Sequence, residues 1–214
     1  MSSGTHRPWR PVRAPLSAEA AEYLQEWTRS SGDVFNAASM DLRGADLTNA
    51  DFTEAWMSNA VLTSVVLREA ELHRAHLESA EMTDADLTGA NLTKASLDRA
   101  TLHRAKFDDA DLTSASLIAV DARSASFRRA QLLGGSVSDA DFRGADLSDA
   151  VFSGTFFVAR VDESSVVRGL TGSLYGPVTV VEDDGERELV GPALADWFAA
   201  RGAHVEVLIP GSQP

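Results

Sequence analysis

The feature that most limits this chain is a repeat of five residues. Ala45-Asp46-Leu47-Thr48-Asn49 is followed at once by Ala50-Asp51-Phe52-Thr53-Glu54. The same pattern returns in Ala85-Asp86-Leu87-Thr88-Gly89, Ala90-Asn91-Leu92-Thr93-Lys94 and Ala145-Asp146-Leu147-Ser148-Asp149. Stepping by five from Leu42 to Phe157 gives 24 units without an insertion, and every central residue is apolar. The centres are Leu, Phe or Met except Val137 and Ala122. The position two before the centre is Ala in 19 units, the exceptions being Met40, Val65, Val120, Gly135 and Thr155. Ala occupies about one position in ten of an average protein, so the period is a structural instruction.

No regular element buries all 24 centres. On an α-helix, residues five apart differ by about 140°, so their stripe winds around the axis. On a plain strand, side chains alternate with period two, so residues five apart face opposite ways. A short extended segment followed by a bend, renewed every five residues, does bury them. The Ala and the centre, two apart, then point inward together, and the bend resets the direction.

The run of Ala-(Asp/Asn)-Leu-x-x units resembles the pentapeptide-repeat family over about Met40 to Ala159, more than half of the chain. The resemblance implies an all-β solenoid: a right-handed quadrilateral β-helix with four units per coil and about six coils here. The central and preceding small residues would point inward and the other three outward. Centres twenty apart would then stack in columns, one being Leu42, Leu62, Met82, Leu102, Ala122 and Phe142. Ala122 is undersized, and the rings of Phe127 and Phe142 are expected to fill the space beside it. Coils about 4.8 Å apart give a rise of roughly 24 Å across six.

Open ends of such a stack are bare sheet edges, and solenoids need caps. Ser17 can N-cap a helix running to about Arg29, with Ala20, Tyr23, Leu24 and Trp27 on one face. The register fails at Asp162. From Gly176, Val178 and Val180 alternate, Asp184-Gly185 turns, and Leu189-Val190 returns as a hairpin. A helix follows, with Pro192 near its start, an apolar face of Leu194, Trp197 and Phe198, and Gly202 at its end. Val205, Val207 and Ile209 then alternate as a last strand. The expected organisation is an N-terminal arm and capping helix over 1–39, the β-helix over 40–159, and a small hairpin–helix–strand α/β cap over 160–214.

The net charge is −13. It excludes binding nucleic acid directly through a general basic field. Among outward residues, the face of the Leu47 column carries Asp46, Glu69, Asp86, Asp108, Asp109, Asp146 and Asp149 against Arg68, Lys106, Arg128 and Arg129. The face of the Met57 column shows Trp56, Ile118, Phe156 and Val158, an apolar set that something should cover. Its occupant is the protein's own termini, a second copy or a partner. The segment Met1–Arg13 lacks an apolar run and is not a secretory signal, and no apolar stretch approaches the roughly 20 residues that span a bilayer, so a cytoplasmic location without membrane contact is expected.

The chain has no cysteine, and it lacks HExxH, GxGxxG, Walker and GxSxG patterns. His73 and His76 straddle a corner and read as solvated surface. Many Asp residues recur directly before a centre, and they are expected to hydrogen-bond backbone at the bend. Neither an enzyme nor a cofactor or metal site is expected. The reading is a non-catalytic scaffold for a protein partner, monomeric or homodimeric, with Asp46, Asp86, Asp108, Asp109, Asp146, Asp149, Trp56, Ile118 and Phe156 as partner-binding candidates. The resemblance also implies an alternative, since some members of this family are acidic rods that mimic DNA, bind DNA gyrase and give resistance to quinolones or gyrase toxins. This chain shares their acidity and unbroken coils. It has no loop inserted in the coils, and its C-terminal module is not a simple terminal helix.

Overall fold

The structure, a computed structural model, describes residues 9–30 and 33–209. The first eight residues of the expected arm lie outside the described residues. From Asn36 to Val158 the backbone pairs with itself in parallel at a fixed separation of twenty: Asp41 with Val61, Val61 with Glu81, Asn91 with Asp111, Ser96 with Ser116. Twenty residues therefore make one turn, and four pentads make its four sides.

One pentad shows why the sequence adopts this shape. The Asn91 N–H donates to the Ala70 carbonyl of the preceding turn (3.0 Å). In the opposite direction, the Leu92 N–H donates to Asp111 O (2.7 Å) and the Lys94 N–H to Thr113 O (2.9 Å). The Ala95 N–H closes the corner on Leu92 O (2.9 Å). One amide is left over, that of Thr93, and it donates to the Asn91 side-chain oxygen (3.1 Å). All five donors are thus satisfied, as buried backbone demands. This is the physical reason for Asp or Asn before the centre. The same bond is made by Asp41, Asp46, Asp51, Asp86, Asp111, Asp121, Asp141 and Asp146 to the amide two residues on, as expected from the sequence.

The fifth position of the pentad has a constraint of its own. Every such residue from Ser39 to Gly154 has positive φ, including nineteen that are not glycine, among them Arg74, Lys94, Arg129 and Ala119. A positive φ at the third residue of a four-residue turn is the type II pattern. Each non-glycine there costs roughly 1 kcal/mol, which the corner and inter-turn hydrogen bonds must offset.

All 24 centres are buried, and so are the Ala residues two before them. The phenylalanines form a continuous stack: Phe107 lies flat on Phe127 (centroids 4.9 Å), Phe127 meets Phe142 (5.2 Å), and Phe142 meets Phe157 (5.5 Å). Phe127 and Phe142 are the two rings expected beside Ala122, which has no exposed surface.

At the N-terminal end, helix α1 (Ala18–Trp27) begins at Ser17, whose hydroxyl accepts from the Ala20 amide (3.3 Å). It buries Ala20 and Leu24 and lays Trp27 and Tyr23 against Phe35. At the other end the pairing lengthens into strands: β1 (Gln131–Leu133), β2 (Ser136–Asp141) and β3 (Val151–Asp162). The five-residue pattern does fail at Asp162, but the slip in pairing falls earlier, between Val158 and Ala159. Ala140 pairs with Ala159 and Asp141 with Arg160, one residue short of twenty, so Val161 is buried and Asp162 stays outside. A carboxylate at a centre would be buried without a counter-charge, so the chain shortens that side by one residue. The period of twenty resumes where Val166 pairs with Asp146.

Strands β4 (Thr171–Tyr175) and β5 (Val178–Glu182) both pair in parallel with β3. β6 (Gly185–Leu189) closes an antiparallel hairpin on β5. Helix α2 (Gly191–Ala199) buries Leu194, Trp197 and Phe198, and β7 (His204–Leu208) pairs with β4. The C-terminal elements thus extend the sheet of the β-helix, in the order β6-β5-β3-β4-β7. Gly172 lies so close to β3 that an added Cβ would sit 1.7 Å from Phe152 O, so only glycine fits this pairing.

Candidate interaction surfaces

The acidic candidates of the Leu47 face lie in adjoining rows on one side of the β-helix, and their surroundings differ. Asp86 accepts from Arg68 Nε (2.7 Å) and Thr88 Oγ1 (2.6 Å). Burial alone would raise its carboxyl, but Arg68 and Thr88 outweigh burial and hold it below the usual carboxylate range. Asp108 takes both Nε and Nη2 of Arg128 (3.1 and 2.9 Å) and a bond from Ser126. Asp109 takes the same two donors of Arg129 (both 2.7 Å), which pull its carboxyl down. Asp46 and Asp146 bond the side chain and amide of Thr48 and Ser148. The Asp46 carbonyl also accepts from the Val12 amide (2.9 Å) of the N-terminal arm. Asp149 lies beside Gly169, where an added Cβ would be 2.1 Å from its Oδ1. Half of the six acids therefore carry an arginine partner one turn away.

The apolar candidates do not converge. Trp56 and Phe156 belong to one row, in which successive turns place Asn36, Trp56, His76, Ser96, Ser116, Ser136, Phe156 and Tyr175 side by side. Three serines separate the aromatic ends, and five steps of about 4.8 Å put them roughly 24 Å apart. Trp56, 49% exposed, stacks on His76 (centroids 4.1 Å, 15°). His76 Nδ1 lies 3.2 Å from Glu78 Oε1, and Ser58 donates to Glu78 Oε2 (2.7 Å). Burial alone would raise the Glu78 carboxyl, but these bonds hold it below its usual range. Phe156, 52% exposed, stacks on Tyr175 (4.9 Å, 18°). Ile118 stands in the neighbouring row, 37% exposed, its amide donating to Asp98 Oδ1 (3.1 Å). The sequence did carry a signal for the Trp56–His76 stack, since the two are twenty apart.

A third feature was not anticipated. Trp9 of the arm meets Trp27 of α1 edge to face, and both reach Phe52 of the first turn. Beside them lies a groove of about 350 Å³ lined in part by Trp9, Trp27, Phe35, Asp33 and Asp51. Nothing local in the sequence brings Trp9 to this place; its indole N–H donates to Thr48 O (3.0 Å), 39 residues on.

The sequence profile described as Pentapeptide repeats matches eight copies over residues 36–63, 45–84, 80–117 and 125–158. The chain belongs to the pentapeptide-repeat family, whose members form right-handed quadrilateral β-helices. Among solved structures, it is similar to a trypsin-treated variant of QnrB1, a plasmid-mediated fluoroquinolone resistance protein, at 18% identity over 63% of this chain and 78% of that one, with a TM-score of 0.46. It is also similar to Rfr23 from the cyanobacterium Cyanothece 51142 (20% identity, 61% and 90% covered, TM-score 0.42). HetL from the cyanobacterium Nostoc, involved in heterocyst differentiation regulation, matches at 25% identity over 72% and 84%, with a TM-score of 0.28. No protein of curated function matches the chain. Among the described residues, no helix is long and apolar enough to cross a membrane.

Proposed function

We propose that this protein is a non-catalytic scaffold that binds a protein partner through the sides of its β-helix. In this reading its 24 pentads make six coils, helix α1 closes one end, and the β5–β6 hairpin, α2 and β7 close the other. It acts in the cytoplasm as a monomer or homodimer and needs no cofactor. The observation that carries the reading is the pair of aromatic stacks, Trp56 on His76 and Phe156 on Tyr175, with Trp56 and Phe156 standing half exposed on the same side of the β-helix. Large aromatic side chains with fixed orientation are what interfaces use as anchors. The test is site-specific photo-crosslinking in cells, with the probe at position 56 or 156 and, as a control, at Ser116. The reading expects one defined adduct from the aromatic positions and none from Ser116. No adduct from either aromatic position would sink it.

A second reading has the acidic side imitate nucleic acid and occupy DNA gyrase, as the resemblance to gyrase-binding members of the pentapeptide-repeat family implies. The net charge of −13 favours it. The arginine partners of Asp86, Asp108 and Asp109 count against it, because a paired carboxylate offers little field to a basic groove. Titration into plasmid supercoiling by purified gyrase, with and without a quinolone, separates the two. Inhibition or drug rescue that fades steeply with salt supports mimicry. No effect up to about tens of micromolar leaves the scaffold reading alone.

A further inference from the structure

We propose that the groove between the N-terminal arm and helix α1 binds an organic cation of the quaternary ammonium type. Two indole rings form its walls, Trp9 and Trp27, with centroids 6.2 Å apart and planes at 68°. Phe35, itself buried, stands against Trp27 (4.8 Å, 61°) at its base. Both indoles are fixed by their N–H groups: Trp9 Nε1 donates to Thr48 O (3.0 Å) and Trp27 Nε1 to Asp33 O (2.9 Å). With the polar edges tied to backbone carbonyls, the half-buried rings are held in place and have no remaining donor to offer a ligand. Their faces carry the negative part of the ring quadrupole, which attracts a cation and is indifferent to an anion. Two carboxylates, Asp33 and Asp51, stand in the same lining, and among the described residues no lysine or arginine does. The groove of about 350 Å³ is wide enough for a trimethylammonium group and too small for a folded partner. Near-perpendicular aromatic walls with acid at the rim are the arrangement that recognises a cation which cannot donate hydrogen bonds.

Such a group could be free, as in choline, or carried on a methylated lysine of a polypeptide. The experiment follows the indole N–H resonances of Trp9, Trp27, Trp56 and Trp197 in the full chain, assigned by single Trp→Phe variants. Tetramethylammonium and choline are titrated against sodium at equal ionic strength, with 3,3-dimethylbutanol as the neutral isostere of choline. A short peptide bearing trimethyl-lysine is compared with the same peptide bearing lysine. The proposal expects saturable shifts confined to Trp9 and Trp27, given by the cations and not by the isostere. Asp51→Asn, a change at an exposed residue, should weaken binding by about threefold, and Trp9→Ala by about tenfold or more. Equal response to choline and peptide assigns a free cation; response to the methylated peptide alone assigns a modified side chain. Equal binding of the isostere, or no saturable shift at Trp9 and Trp27 with any cation, overturns the proposal. Because Trp9→Ala could loosen the arm, Asp51→Asn decides the electrostatic part: unchanged cation affinity in that variant contradicts the role given to the rim.

Discussion

Position 122 is where the repeat and the structure give opposite advice. Every other centre is larger, so a repeat-based rule would replace Ala122 with Leu. If the space were empty, three added carbons at about 0.8 kcal/mol each would stabilise the protein by roughly 2.4 kcal/mol. The structure argues otherwise. Phe142 occupies the same column one turn on, and Phe127 the next corner, and their rings already meet at 5.2 Å. Phe127 cannot retreat without pressing on Phe107, on which it lies nearly parallel at 4.9 Å. Inserting a leucine into a filled core costs about 1–3 kcal/mol. At about 2–4 °C per kcal/mol for a chain of this size, Ala122→Leu should lower the melting temperature by several degrees. Phe142→Leu alone should also destabilise, since it removes a ring from contact with Phe127 and Phe157. Together the two changes should cost less than their sum by about 1 kcal/mol or more, because the second makes room for the first. Thermal and urea unfolding of the four proteins measures this. A rise in stability for Ala122→Leu, or strict additivity in the double variant, would refute the claim that these rings fill the gap.

Three further outcomes follow from the same geometry. Leu92→Asp places an unpaired charge at a fully buried centre in the middle of the stack and should abolish cooperative folding, read by circular dichroism; wild-type stability would reject the inward register. Asp111→Ala strips the acceptor from the Thr113 amide (2.9 Å) and should cost about 0.5–1.5 kcal/mol in urea unfolding, while Asp111→Asn keeps the acceptor and most of the stability. Acidification should destabilise the protein. Arginine hydrogen bonds pull down Asp84, Asp109 and Asp121, and at Asp86 Arg68 and Thr88 overcome the opposing effect of burial. A carboxyl with a depressed folded pKa contributes stability above its unfolded value, about 3.9, and loses it as pH falls through the folded value. Melting temperatures should therefore hold from neutrality to about pH 5 and drop below about pH 4; a rise on acidification would contradict these pairings.

Most of the β-helix was legible because one side-chain class recurs at one spacing. A period of five fits neither a helix nor a strand, and the Ala–Leu offset of two fixes which residues turn inward. The Asp or Asn before the centre was legible too, as a bend residue, and the Thr93 amide shows what it accepts. The left-handed corners were not legible. Their strain is offset by hydrogen bonds common to every turn, so Arg, Lys, Glu, Ser and Ala all occupy them and leave no compositional mark. Asp162 announced a break, yet only the structure shows that one side shortens by a residue and the pairing then recovers at Val166. On the surface, the sequence sorted residues onto the right sides but not along them. Trp56 and Phe156 share a row and stand at its opposite ends, and three of the six acids, Asp86, Asp108 and Asp109, have arginines one turn away at spacings of 18 and 20. The Trp9 groove depends on a chain reversal that no local pattern encodes.

The claim underlying all of this is that one turn is twenty residues. The chain contains no cysteine, so introduced pairs can be read without background. Ser96 and Ser116 face each other across adjacent turns, at a strand spacing of about 4.8 Å that suits a disulfide. Under mild oxidation, Ser96→Cys with Ser116→Cys should form an intramolecular bond in the folded protein, and so should Ser116→Cys with Ser136→Cys. Ser96→Cys with Ser126→Cys, thirty residues apart and on another side, should not. Closure of the thirty-residue pair, with the twenty-residue pairs remaining reduced, would contradict the register on which the fold and both proposed surfaces rest.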